Sequence, residues 1–84
     1  MSTHEFMQMA KEEVAKYYNE VYDGEQMNAE DVFIVWMCKT LQNCKALLGW
    51  PKGDGMYFEV TYNGDKNQMY IDAYVKQKNI FKQL

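Results

Sequence analysis

Apolar residues recur at intervals of three and four near the start of the chain, where Met7, Ala10, Val14, Tyr17, Tyr18 and Val21 fall on one side of a helix. Ser2 and Glu5 stand at capping-box spacing ahead of them and Asp23-Gly24 follows as a stop, so the pattern predicts an amphipathic helix from about His4 to Tyr22. Glu12 and Lys16, four apart in the favourable order, lie on its charged side. A second start signal, Asn28 with Asp31, precedes a segment closed by Gly49 and Pro51, and the spacing predicts a second helix over Ala29 to Leu48. Its core-facing stripe is Phe33, Ile34, Met37, Leu41, Cys44 and Leu48. Val32 to Cys38 is nonetheless an unbroken apolar run, so Val32, Val35 and Trp36 must point elsewhere. Trp36, Thr40, Asn43 and Leu47 form a flanking stripe, in which Trp36 is either buried against the first helix or in contact with a second chain.

From Met56 the period changes to two. Met56, Phe58, Val60 and Tyr62 alternate with Tyr57, Glu59 and Thr61, Asn63-Gly64 supplies a hairpin signal, and a second strand follows. A two-residue loop sets Tyr62 opposite Asp65 and Phe58 opposite Met69. A four-residue loop slides the pairs but leaves each side chain on the same face. One face is Met56, Phe58, Val60, Met69, Ile71, Ala73 and Val75, which packs on the helices. The other carries Tyr57, Glu59, Thr61, Lys66, Gln68, Tyr70, Asp72 and Tyr74. With Tyr57 and Tyr70 as a cross-strand pair and Tyr74 nearby, this aromatic and acidic surface is either a contact face or an ordinary tyrosine-bearing outer face. The connector Trp50 to Gly55 is rich in glycine, but no Lys-Ser/Thr pair follows it, so it is not a phosphate loop. Trp50 acts there as a lid over the helix end or as an exposed contact. The tail from Lys76 to Leu84 reads equally as a third strand, a short helix or a docked end. The predicted fold is therefore α+β: two amphipathic helices packed on one face of an antiparallel β-hairpin.

The chain has 84 residues, 48% of them hydrophobic and 25% charged, which points to one folded domain over residues 1–84. A chain this short buries only ~60% of its unfolded surface, so association with a copy or a partner would help it. No apolar stretch is long enough to span a bilayer and no leader opens the chain, so a cytoplasmic protein without a membrane partner is expected. The net charge is −3 and all nine basic residues are lysine, so no arginine grips phosphate or guanine and nucleic-acid binding is disfavoured. Lys76, Lys78 and Lys82 are the only basic cluster and read as a solvated tail. Cys38 and Cys44 fall on different sides of the predicted helix, too far apart to join, and read as free buried thiols. With His4 the only histidine, a metal site is not expected.

Catalytic chemistry finds little support. Ser2 is the only serine, and neither cysteine has a base near it in sequence. In the two-residue-loop register Glu59 sits beside Gln68 while Asp72 lies beyond Tyr70, too distant for an acid/base pair. A non-enzyme without a cofactor is expected.

The runs Asp31 to Leu48 (DVFIVWMCKTLQNCKALL) and Asp54 to Lys76 (DGMYFEVTYNGDKNQMYIDAYVK) resemble a family of small phage and prophage proteins of Gram-positive bacteria, a domain of unknown function. The distinctive pieces are Trp36 with Cys38 to Asn43, and Tyr62 to Asp65 leading into Tyr70, Asp72, Ala73 and Tyr74. No activity or site residue comes with the resemblance. It implies a setting, the interior of an infected or lysogenic bacterium, where small acidic proteins often bind a host or phage component. The expectation that follows is a non-enzymatic binding module, self-associating as a homodimer, which engages a host or phage protein and inhibits host defence. Its candidate binding residues are Tyr57, Tyr70, Tyr74, Glu59 and Asp72, together with Trp36. The alternative is a sponge that holds a small nucleotide signal between aromatic rings at a subunit interface, and the missing arginine weakens it. Mimicry of DNA ranks last, because the net charge is small and lysines interrupt the carboxylates.

Overall fold

The computed structural model describes residues 1–52 and 55–84, in the order α1 (Thr3–Val21), a 3-10 turn (Ala29–Asp31), β1 (Phe33–Thr40), β2 (Asn43–Gly49), β3 (Met56–Asn63) and β4 (Gln68–Val75). The strands form one antiparallel meander in the order β1-β2-β3-β4, with α1 against one face. The first helix is where its pattern places it. The Ser2 hydroxyl accepts from the Glu5 N–H at 3.1 Å and the Ser2 N–H donates to the Glu5 carboxylate at 3.0 Å, completing the capping box. Its buried side is Phe6, Ala10, Val14 and Ala15, rotated slightly from the expected stripe, so that Val21 is exposed.

The second helix is not formed. Asn28 and Asp31 start only the single 3-10 turn, and residues 33–49 make the hairpin β1-β2. Two irregularities made this hairpin look helical. The register of β1 shifts between Ile34 and Trp36, so Val35 is an extra bulged residue. The bulge brings Phe33 and Trp36 to one face and Ile34 and Met37 to the other, at a spacing of three instead of two. Leu41 and Gln42 then turn the chain between the partners Thr40 and Asn43, with Leu41 at φ 56°. A positive φ at the first position of a two-residue loop ordinarily calls for glycine, and leucine gives no such signal. The β-branched and aromatic run Val32 to Trp36 decides the outcome, because such side chains lose rotamer freedom in a helix and fit a pleated sheet.

The predicted β3-β4 hairpin is present with the four-residue loop. Phe58 faces Ala73, Tyr57 faces Tyr74, and Asn63 faces Gln68. The left-handed residue in the loop is Asn67 (φ 51°). Gly64 serves another purpose: a Cβ there would lie 2.2 Å from the Gln42 carbonyl oxygen, so glycine lets the two hairpin loops touch. Asn43 Oδ1 accepts from the Gly64 N–H at 2.9 Å, and the Gln42 side-chain amide donates to Asp65 across the same junction.

The core lies between α1 and the two central strands. Phe6, Ala10 and Val14 meet Cys44, Ala46 and Leu48 of β2 and Phe58 and Val60 of β3, and Tyr17 meets Phe58 edge-on at 6.3 Å. Each large side chain buried here contributes about 1.5–3 kcal/mol. Trp50 is buried as a lid, its ring 4.8 Å from Tyr18, which also stacks on Tyr22. The centre of its connector, residues 53 and 54, lies outside the described residues. One helix about 10 Å across cannot roof four strands spaced ~4.8 Å apart. Ala73 and Val75, expected beneath the helices, are accordingly exposed at the β4 edge. Cys44 is buried on the helix side and Cys38 exposed, so only one thiol is a core residue. Residues 76–84 form neither strand nor helix and remain exposed.

The link from α1 to β1 is held by Asn19, whose amide donates to the Met27 carbonyl at 2.9 Å and accepts from the Met27 N–H at 2.7 Å. Met27 itself is buried. Asn19→Ala strands both backbone groups and is expected to cost about 1–3 kcal/mol in urea unfolding, with Asn19→Asp, which keeps only the acceptor, losing less. Leu41→Gly acts in the opposite direction. It relieves a left-handed conformation worth about 1–2 kcal/mol, at an entropic cost of about 0.5–1 kcal/mol, so the melting temperature rises by a few degrees. A lower melting temperature for Leu41→Gly would refute the account of that turn.

Candidate functional site: the open face of the sheet

Alternation along each strand sends every second side chain away from α1, and no layer covers that side among the described residues. Register then sorts the outward side chains into rows. The first row runs Phe33, Gly49, Tyr57, Tyr74, and the second Trp36, Leu47, Glu59, Asp72. The third is Cys38, Lys45, Thr61 and Tyr70. All six residues expected to bind, Tyr57, Tyr70, Tyr74, Glu59, Asp72 and Trp36, therefore share one face. The flanking stripe of the expected second helix, Trp36, Thr40, Asn43 and Leu47, lies here too, as two cross-strand pairs.

The aromatic pairing differs from expectation. Tyr57 stacks on Tyr74, ring centroids 5.1 Å apart and planes 12° from parallel, while Tyr70 stands opposite Thr61. Trp36, Tyr57, Tyr70 and Tyr74 are between 39% and 47% exposed, enough to keep one side of each ring wet. The same register overturns the separation expected for the two carboxylates: Glu59 and Asp72 are direct cross-strand partners. Lys45 pairs with Glu59 at 3.2 Å, and among the described residues Asp72 has no ion-pair partner. The Tyr74 hydroxyl reports the resulting field. Its pKa is raised above the ordinary phenol value, first by the Glu59 carboxylate, then by desolvation, Asp72 and Tyr57, with Lys45 opposing.

Phe33 and Lys45 complete the face and were not foreseen there. The Phe33 ring lies over Gly49, where an added Cβ would stand 2.7 Å from the ring's Cζ. An aromatic covering a strand glycine is a known sheet device, but its signal is invisible while both residues are assigned to a helix. Between the β1 and β2 side chains lies an open depression of about 350 Å³ lined by Trp36, Cys38, Thr40, Asn43, Lys45 and Thr61. These groups offer stacking surfaces, hydroxyls, amides and a few charges, which is equipment for recognition. Among the described residues no group of three or more His, Cys, Asp and Glu stands ready to hold a metal ion. No helix among them is long and apolar enough to cross a membrane.

Removing the first cause of the Tyr74 shift tests this electrostatic description. Glu59→Gln is expected to bring the ionisation of Tyr74 back toward ordinary tyrosine in a tyrosine-ring NMR titration. Because the folded-state value is the raised one, the neutral phenol favours folding below the unfolded value near ~10, and that contribution is lost as pH climbs through the folded value. An unchanged Tyr74 titration in Glu59→Gln would contradict the carboxylate's role.

Residues 7–84 match the model of DUF6275, described as a family of unknown function, and the chain belongs to that family. No curated protein and no solved structure matches it.

Proposed function

We propose that this member of DUF6275 is a non-enzymatic binding module that docks a protein on the open face of its sheet. The observation that carries the reading is one uncovered face bearing Trp36, Tyr57, Tyr70 and Tyr74, each partly exposed, around the cross-strand pair Glu59 and Asp72. Rings of this kind give large contact area at low entropic cost, and the carboxylates at their centre select a partner with positive charge. The resemblance to phage and prophage proteins suggests the setting, the cytoplasm of an infected or lysogenic bacterium, with a host or phage component such as a defence protein as the target, and the limited burial open to so short a chain favours a homodimer. The nucleotide-sponge reading stays weakened by the missing arginine, and because Tyr57 and Tyr74 already stack on each other only their outer sides are left to hold a base at a subunit interface.

A photo-crosslinking phenylalanine analogue placed at Tyr70, and for comparison at Met9 on the exposed side of α1, checks the proposal in the bacterial cytoplasm. The Tyr70 position is expected to form a discrete protein adduct that Trp36→Ala abolishes, while Met9 forms none. In parallel, a nucleotide panel should leave the melting temperature unmoved. A rise of several degrees with one nucleotide, lost in Tyr57→Ala, would replace this reading with the sponge.

A further inference from the structure

Beside the Lys45–Glu59 pair the open face carries Asp72, which has no ion-pair partner among the described residues, and the chain carries a complementary segment that touches almost nothing. Residues 76–84 (KQKNIFKQL) hold three of the nine lysines and none of the twelve carboxylates, so the remainder sets six lysines against those twelve. In this arm Ile80, Phe81 and Leu84 are 77%, 81% and 102% exposed. The arm starts as an extension of β4, where the Lys76 N–H donates to the Gly55 carbonyl at 2.8 Å, and then leaves the sheet. The radius of gyration is 13.9 Å, against about 12 Å for a compact chain of this length.

We infer that arm 76–84 of one copy lies on the open sheet face of a second copy, and that two copies exchange arms reciprocally around a two-fold axis. This rests on the reading of that face as a protein-docking surface and makes the second copy's arm the resident occupant, which a host or phage partner has to displace. Nine extended residues reach ~30 Å, as long as a strand of this sheet and longer than the sheet is wide, so an arm can cross the whole face. Folding back onto its own face would need a reversal straight after Lys76, whereas the arm's one turn-favouring residue, Asn79, stands three positions further on. The lysines meet the Glu59 and Asp72 row, and Ile80, Phe81 and Leu84 meet Trp36, Tyr57 and Tyr74. A reciprocal exchange doubles the area that a single arm buries, in the direction of the ~1,600 Å² of a standard stable interface.

Sedimentation velocity of the full chain from micromolar to millimolar concentration tests this, and a dimer is expected. Phe81→Ser should raise the dissociation constant about 30-fold or more, as the loss of a buried aromatic anchor does. Asp72→Lys should weaken the dimer comparably, and both variants should melt like the wild-type monomer in dilute solution. Mixed together, the two variants should form a mixed dimer of intermediate strength, because one of its two contacts is intact and the other carries both defects. A wild-type monomer at every concentration or a dimer indifferent to Phe81→Ser would each overturn the exchange. A monomer that still forms the Tyr70 adduct ends the exchange alone, whereas loss of that adduct together with indifference to both substitutions ends the docking reading as well.

Discussion

A single helix has to close the core of a four-stranded sheet, and most of the architecture follows from that mismatch. Phe6, Ala10 and Val14 reach the middle of the sheet and no further, so burial is complete at Cys44, Ala46, Leu48, Phe58 and Val60 and fades toward both edges. The small residues Ala10 and Ala46 let helix and sheet approach closely, while Phe6 and Phe58 fill the volume between them. Nothing is left in the described chain to cover the other side of the sheet. That side accordingly carries side chains that tolerate water at one end, namely tyrosines, a tryptophan, a lysine and two carboxylates.

Stability outside this core is distributed over short polar ties. Asn19 substitutes for a missing backbone partner of Met27, the capping box closes the start of α1, and the loop pair around Gly64 and Gln42 joins the two hairpins at one end. Each tie satisfies backbone groups that would otherwise have no partner, and together they fix the places where the chain changes direction. The strands can then leave their outward side chains to contact instead of packing.

The helix and the second hairpin were legible in the sequence because each carries one uninterrupted period with a turn or cap at its end. Ser2 with Glu5, the spacing of Ala10 and Val14, and the alternation from Met56 to Tyr62 all match the structure. Face assignment also survived the uncertain loop length, since a slide of the pairing by an even number of residues preserves sidedness. The stretch from Ala29 to Leu48 was misread because a bulge at Val35 and a turn at Leu41 break the period of two in places that imitate a helix. Of its expected core stripe, Ile34, Met37, Cys44 and Leu48 do face α1, whereas Phe33 joins the open face and Leu41 is in a loop. The candidate site was legible in its β3 and β4 half, and of its β1 and β2 half Trp36, Thr40, Asn43 and Leu47 were grouped correctly but placed on the wrong kind of element. The partnership of Glu59 with Asp72 depended on loop length alone, which the Asn-Gly dipeptide does not specify.

The bulge at Val35 gives the sheet two unequal borders. Along β1 the row of backbone groups is interrupted midway, whereas β4 keeps an unbroken register with β3 from Gln68 to Val75. Recruiting a further strand is therefore open at one rim and obstructed at the other. Ribbon-like polymerisation, which consumes a rim of each type at every step, is starved of one of them.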